Sequence, residues 1–145
     1  MNQVGRVIRE LHSAENDLAA LLLLVAERHR ADQEIFHVGR DLARWSRQHV
    51  RELARLGRDL DPVATARPQD SEPPGRYQLL RDLREIHTAA AGVSVDWEIL
   101  AQAAQALRDP GLLATVQRCH PQTLRQLRWA NAHIKASAAQ IVVTP

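Results

Sequence analysis

The sequence predicts an all-α fold, an antiparallel four-helix bundle in which two helical hairpins are diverged copies of one another. Glycine and proline occur in few places, and the long intervals between them are rich in Leu, Ala, Arg, Glu and Gln, which are good helix formers. Within these intervals apolar residues recur at alternating three- and four-residue steps. The 145 residues suit one domain, predicted as hairpin 1–60, linker 61–75 and hairpin 76–145.

The first hairpin contains two predicted helices separated by a short break. The first runs from about Val4 to Arg30, and the second begins after Asp32, a candidate N-cap, and continues to about Leu60. Both have an apolar seam that is interrupted in few places. The polar residues in the two seams are Glu15, Ser46 and His49.

The second hairpin follows a linker that contains four prolines and is long enough to run the length of the bundle. A third helix is predicted over about Arg76 to Arg108 and a fourth over about Leu112 to Val142. Asp109 is the candidate cap between them, with Pro110 at an early helical position. Pro121 lies inside the fourth helix and is expected to kink or interrupt it after three turns.

An internal repeat relates the two hairpins. Residues Arg6–Ala14 recur as Arg81–Ala89, and Arg44–Arg51 recur as Arg128–Lys135. The first helix therefore corresponds to the third and the second to the fourth. If the two hairpin turns share one end of the bundle, equivalent residues lie at similar depths and face a common zone. The repeated histidines are His12, His49, His87 and His133.

Carboxylates accompany these histidines. Glu10 and Glu85 are also repeated, Glu15 projects from the seam near His49, and Glu52 follows His49 by three positions on the same helix face. Imidazoles inside a bundle suit Zn, Fe, Ni or Cu, and two axial imidazoles suit haem iron. The candidate metal ligands are His12, His49, His87, His133, Glu10, Glu15, Glu52 and Glu85, and the four histidines are also the candidates for haem.

The architecture resembles the ferritin-like superfamily over essentially the whole chain. In its iron-binding members a Glu on the first and third helices joins a Glu-x-x-His on the second and fourth to hold two iron atoms. The matching segments here, Ser46–His49 and Ala130–His133, keep each His and lack each Glu. An intact Glu-x-x-His, Glu34–His37, lies at another depth. The resemblance implies a ferritin-like bundle with a degenerate di-iron motif, a redox metal or haem in place of a ferroxidase centre, and redox chemistry if any catalysis.

Two alternatives remain open. Buried histidines also serve as hydrogen-bonding core residues, so the bundle is alternatively cofactor-free and acts through protein contacts. An arginine stripe on the second helix suits phosphate groups, but a formal net charge of +2 and the lack of a nucleic-acid motif argue against that use. The stripe consists of Arg40, Arg44, Arg47, Arg51, Arg55 and Arg58.

Partners and location follow from four smaller observations. Leu23 and Leu24 fall outside the seam of the first helix, which predicts a homodimer through this helix or packing under the linker. The longest apolar run, Leu18–Ala26, is too short to span a membrane. The single Cys119 forms no internal disulfide and is predicted as a small core residue. The N-terminus lacks signal-peptide features, so a cytoplasmic protein is predicted.

Overall fold

The computed structural model describes residues 2–57, 60 and 74–144, and every regular element within them is an α-helix. The helices are α1 (Val4–Arg28), α2 (Gln33–Leu56), α3 (Arg76–Ala106) and α4 (Pro110–Val143). The prediction of an all-helical chain with four long helices is confirmed. The predicted linker lies outside the described residues except for Pro74 and Gly75.

Two helices begin at the predicted caps. The carboxylate of Asp32 accepts a hydrogen bond from the backbone N–H of Ile35 at 3.2 Å, and Asp109 accepts one from Leu112 at 3.1 Å. Pro110 is the first residue of α4, where its missing N–H has no helical partner to lose. The α4 helix therefore begins two residues earlier than predicted.

A kink or an interruption was predicted at Pro121, and the interruption is wrong, because α4 continues as one helix from Pro110 to Val143. Cys119 and Thr123, on either side of the exposed proline, are both buried. A helical proline removes one backbone donor and clashes locally with the preceding turn. Burial of the same helix face before and after Pro121 outweighs this local loss.

The four helices enclose one apolar core. α1 packs against α2 and α3, and α4 packs against α3 and α2, so the order around the assembly is α1, α2, α4, α3. Fully buried residues come from all of them, including Leu22 of α1, Leu53 of α2, Trp97 of α3 and Ala130 of α4. Burying a large apolar side chain contributes about 1.5–3 kcal/mol, so this core supplies the main driving force for folding.

The two hairpin turns lie at opposite ends of the helical assembly. His29, which follows α1, contacts Asp82 in the second turn of α3. At the other end, Glu52 near the end of α2 contacts Arg118 in the early part of α4. The expectation that the two turns share one end is therefore wrong. α2 ends at one end of the assembly and α3 begins at the other. The second hairpin turn therefore lies at the end opposite to the first.

Two helical glycines make different demands on packing. A methyl group added at Gly39 would lie 3.1 Å from Cβ of Ala26 and 3.6 Å from the carbonyl oxygen of Leu22, whereas one added at the exposed Gly92 would meet no atom within 4 Å.

Gly39→Ala is expected to lower the free energy of unfolding by about 1 kcal/mol, since overpacking outweighs better helix propensity. Gly92→Ala is expected to raise it by about 0.5–1 kcal/mol. Urea denaturation checks both values, and equal stabilisation by the two variants would contradict a tight contact at Gly39.

Candidate functional site

A carboxylate and an imidazole face each other in the middle of the core. Glu15 of α1 is 0% exposed and His49 of α2 is 1% exposed. The Nδ1 atom of His49 lies 2.5 Å from Oε2 of Glu15, and the indole N–H of Trp97 on α3 donates to the same oxygen at 3.1 Å. One carboxylate oxygen therefore holds groups from two neighbouring helices.

The second ring nitrogen of His49 is also bound. Its Nε2 lies 2.8 Å from Oε1 of Gln122 on α4. Burial acts to lower the pKa of His49, but hydrogen bonding to Glu15 and its charge, with smaller effects from Gln122 and Glu52, outweigh burial and raise the pKa. When the ring is protonated, both N–H groups donate, to Glu15 and to Gln122. We call Glu15, His49, Trp97 and Gln122 the central cluster.

A thiol and a second carboxylate lie one turn farther along α2 and α4. The thiol of Cys119 donates to Oε2 of Glu52 at 2.9 Å, and Arg118 donates to Oε1 at 3.3 Å. Burial, followed by the hydrogen bond to Glu52, raises the pKa of Cys119 well above its usual range. Burial alone would raise the pKa of Glu52, but the Cys119 and Arg118 contacts and the charge of His49 leave it lowered. Cys119 is thus a protonated core thiol and not a nucleophile.

An amide occupies the region where the iron-binding motif would place a glutamate. The side-chain NH₂ of Gln126 on α4 donates to the carbonyl oxygen of Leu42 and to the hydroxyl of Ser46, both at 2.8 Å. Ser46 stands three residues before His49, at the Glu position of Glu-x-x-His. Neutral groups on α2 and α4 therefore hydrogen-bond to each other at this position.

Three buried oxygen atoms near these residues accept no hydrogen bond from the part of the chain that the structure describes. They are Oε1 of Glu15, Oγ1 of Thr123 and Oε1 of Gln126. The unpaired Glu15 oxygen matters most, because its partner oxygen in the same carboxylate already receives two donors. The Thr123 hydroxyl can also donate, and the indole N–H of Trp129 on α4 is a fourth buried polar group without a partner among the described residues.

Three of the eight predicted metal ligands, Glu15, His49 and Glu52, lie in or beside this centre. His133 does not, since its Nε2 pairs with Oε1 of Glu34 at 3.0 Å. Glu34 is 15 residues from His49 along α2, which is about 22 Å of helix. The prediction that the repeated histidines meet at one level is wrong for this pair.

The other four predicted ligands make no recorded hydrogen bond or ion pair with the central cluster, although His12 lies one helical turn before Glu15 on α1. His87 is half-buried and lies ten residues, about 15 Å of helix, before Trp97 on α3. His12 is buried, which lowers its pKa, and Glu10 and Glu85 are exposed. Within residues 2–57, 60 and 74–144, no three His, Cys, Asp or Glu side chains are grouped so as to hold a metal ion.

No protein-family model, curated protein or solved structure matches the chain. No helix in the described part of the chain is long and apolar enough to cross a membrane. Its function is therefore inferred from the geometry of its own residues.

Three participants were not identified in the sequence as site residues, namely Trp97, Gln122 and Gln126. Trp97 fits the apolar seam of α3, so nothing marks its N–H as a donor to a carboxylate. A signal did exist on α4. Cys119, Gln122, Thr123 and Gln126 stand at positions i, i+3, i+4 and i+7, so they form a polar stripe on one face. Such a stripe on a buried face predicts polar partners on the facing helices.

A second buried carboxylate lies at the end of the assembly that holds the first hairpin turn. Asp82 of α3 is 2% exposed and accepts hydrogen bonds from Arg28 and Gln78, both at 2.8 Å, while Nε2 of His29 lies at 2.6 Å. Burial would raise the pKa of Asp82, but these three partners outweigh it and lower the pKa. We call Asp82, Arg28, His29 and Gln78 the end cluster, and a cavity of about 510 Å³ lies beside it.

Proposed function

We propose that the chain is a ferritin-like, antiparallel four-helix bundle of two duplicated hairpins, whose centre is closed by protein groups and which acts by associating with protein. The observation that carries this proposal is that both ring nitrogens of His49 are bound, one by Glu15 and the other by Gln122. A histidine that serves as a metal or haem ligand needs one nitrogen for the metal.

The order of the interhelical contacts supports the antiparallel arrangement. Along α2 and α4, Glu34 pairs with His133 and Glu52 pairs with Arg118, so residue numbers rise on one helix as they fall on the other. The contacts of α1 with α3 follow the same rule, with Glu15 against Trp97 and His29 against Asp82. This order is expected of neighbouring helices that run in opposite directions.

The residues at the centre do not fit a di-iron site or haem. Ser46 occupies the position where a bridging glutamate is required, and the side-chain amide of Gln126 donates a hydrogen bond to it. Haem needs an apolar slot beside its axial histidine. Neither the end cavity nor a shallow hollow on α3 is lined by His12, His49, His87 or His133.

The surface that favours association lies on α3 and not on α1. Leu23 and Leu24, the predicted dimer contacts, are only partly exposed, and Leu23 packs against the core. On α3, in contrast, Val95 is 51% and Ile99 is 48% exposed. They belong to an exposed, uncharged row at alternating four- and three-residue steps, which we call the outer seam. The outer seam consists of Thr88, Gly92, Val95, Ile99, Gln102 and Ala106.

A second copy of this chain is the proposed occupant of the outer seam. Four- and three-residue spacing is the pattern through which two helices pack as a coiled coil. In an antiparallel pair, Glu98 of one copy would lie near Glu98 of the other, whereas a parallel pair places Glu98 beside Ala103. Like charges oppose the first arrangement, so we propose a parallel α3–α3 contact about a two-fold axis.

Cysteine cross-linking tests this contact. In a Cys119→Ser background, Val95→Cys and Gln102→Cys are each expected to form disulfide-linked dimers under mild oxidation, because a parallel contact brings each position next to its own copy. Arg47→Cys, on the exposed arginine stripe of α2, is the control and should remain monomeric. Ile99→Glu is expected to abolish any dimer seen by sedimentation of the unmodified chain. A chain that sediments as a monomer at every accessible concentration, or that cross-links through Arg47→Cys equally well, would overturn the proposal.

Binding of a single transition-metal ion is the second candidate function, and the unpaired Oε1 atom of Glu15 favours it. A carboxylate that holds one nitrogen of a histidine is the usual support for a metal-binding imidazole. The ion would require Gln122 to release His49. Titration with Co²⁺ tests this, since ligand-field absorption that disappears in His49→Asn would establish the metal site and contradict the cofactor-free centre. Absence of such absorption would leave the protein-only centre as proposed.

A further inference from the structure

The end cavity lies between the first hairpin turn, the start of α3 and the end of α4. Its volume of about 510 Å³ is in the range of pockets that hold small molecules. Arg28, Arg30 and Arg76 contribute cationic groups to its wall, and Leu79 and Ile141 contribute apolar surface. A wall of this composition suits a ligand with one charged end and an apolar body.

The acidic groups of the wall are already engaged. Glu27 pairs with Arg30 at 3.1 Å, and Asp32 accepts the capping N–H of α2. Arg76, in contrast, forms no ion pair with the residues that the structure describes. Gly75 provides no side chain to cap the first N–H groups of α3. Among the residues that the structure describes, donors therefore exceed acceptors at this side of the cavity, and a helix N-terminus favours a negative group.

His29 supplies a second, independent feature of the cavity wall. It is 9% exposed, its Nε2 lies 2.6 Å from Asp82, and no described residue hydrogen-bonds to its Nδ1. Asp82 also binds Arg28, so the carboxylate fixes two wall residues at once. A nearly buried imidazole with one nitrogen fixed and the other unpaired is placed to hydrogen-bond a ligand.

We propose that the end cavity binds a small organic carboxylate. Its carboxylate lies against Arg76 and the first turn of α3, and its apolar body packs against Leu79 and Ile141. The unpaired nitrogen of His29 contributes a polar contact at the cavity wall. This small-molecule site is separate from the α3 contact of the proposed dimer, and neither depends on the other.

NMR titrations that observe the protein resonances test the site with hexanoate as the probe, and hexanamide serves as its neutral counterpart. Hexanoate is expected to bind saturably and to shift the ring resonances of His29, with hexanamide binding at least about tenfold more weakly. Arg76→Gln is expected to weaken hexanoate binding about tenfold. Arg44→Gln, which removes an exposed arginine of α2, is the matched control and should leave binding unchanged.

Three results would overturn the carboxylate site. They are equal binding of hexanoate and hexanamide, equal binding to Arg76→Gln and the unmodified chain, and binding of inorganic phosphate without binding of hexanoate. Ile99→Glu should bind hexanoate normally, so loss of the dimer and loss of the ligand site are separately observable.

Discussion

Replacing Glu15 with alanine is expected to lower the free energy of unfolding by about 3–5 kcal/mol, because it leaves a buried imidazole and an indole N–H without their acceptor. The carboxylate is fully buried and holds both His49 and Trp97. Urea denaturation monitored by circular dichroism measures the loss. Leu18→Ala on the same helix, which removes a fully buried apolar side chain, shows how much destabilisation a cavity alone produces.

Glu15→Gln removes the charge of Glu15 and nearly keeps its size. The pH dependence of the resulting loss of stability shows whether His49 is charged. The folded chain raises the pKa of His49 above 6.5, so the ion pair contributes its full stability below about pH 6.5 and loses it as pH rises through the folded pKa. The stability difference between the unmodified chain and Glu15→Gln should therefore be larger at pH 6 than at pH 9. A difference that does not change with pH would contradict a charged His49.

Asp82→Ala is expected to lower the free energy of unfolding by about 3 kcal/mol or more, since Arg28, His29 and Gln78 lose a common buried acceptor. The pKa of Asp82 is lowered from 3.8, so its contribution is present above about pH 3.8 and is lost as pH falls through the folded pKa. The variant should accordingly differ most from the unmodified chain near neutral pH and least in strong acid. Thermal unfolding measured across this pH range checks both expectations.

Asp41→Ala is the matched control for the end cluster. Asp41 also pairs with an arginine, Arg44 at 2.7 Å, but both side chains are more than half exposed. An exposed pair of this kind contributes about 0–1 kcal/mol. If Asp41→Ala and Asp82→Ala destabilise the chain equally, burial does not control the strength of the end cluster.

The helical framework was predictable because local patterns determine it. Alternating three- and four-residue steps identify the buried face of a helix without knowledge of its neighbours, and Asp32 and Asp109 identify two helix starts. The same pattern identified Glu15 and His49, which interrupt otherwise apolar seams and do meet in the core. Features determined within one helix were therefore accessible from the sequence.

The position of each residue along the bundle axis could not be predicted in this way. Both hairpin turns were expected at one end of the bundle, but contacts place the first beside the start of α3 and the second beside the end of α2. The repeated pair His49 and His133 shows the result. Their partners Gln122 and Glu34 lie on the facing helices, and Glu34 is about 22 Å of helix before His49 on α2. The two histidines therefore occupy different levels.

Partners across helix interfaces were also missed. Asp82 and His29 are separated by 53 positions, and neither belongs to a recognised motif, so only the packing of α1 against α3 brings them together. Gln122 reaches His49 for the same reason. Pairing between separate helices depends on how far each is displaced along its neighbour, and a single sequence does not report that displacement.

The central cluster also limits which alignments of the helices are stable. Trp97, Glu15, His49 and Gln122 form a series of hydrogen bonds that joins α3, α1, α2 and α4 in turn. If α1 slid by one turn, about 5.4 Å, leucine and alanine would bury a similar apolar area again. Glu15, however, would lose both donors while remaining buried. The hydrophobic residues drive the helices together, and this one polar series selects a single alignment among several that apolar burial alone would tolerate.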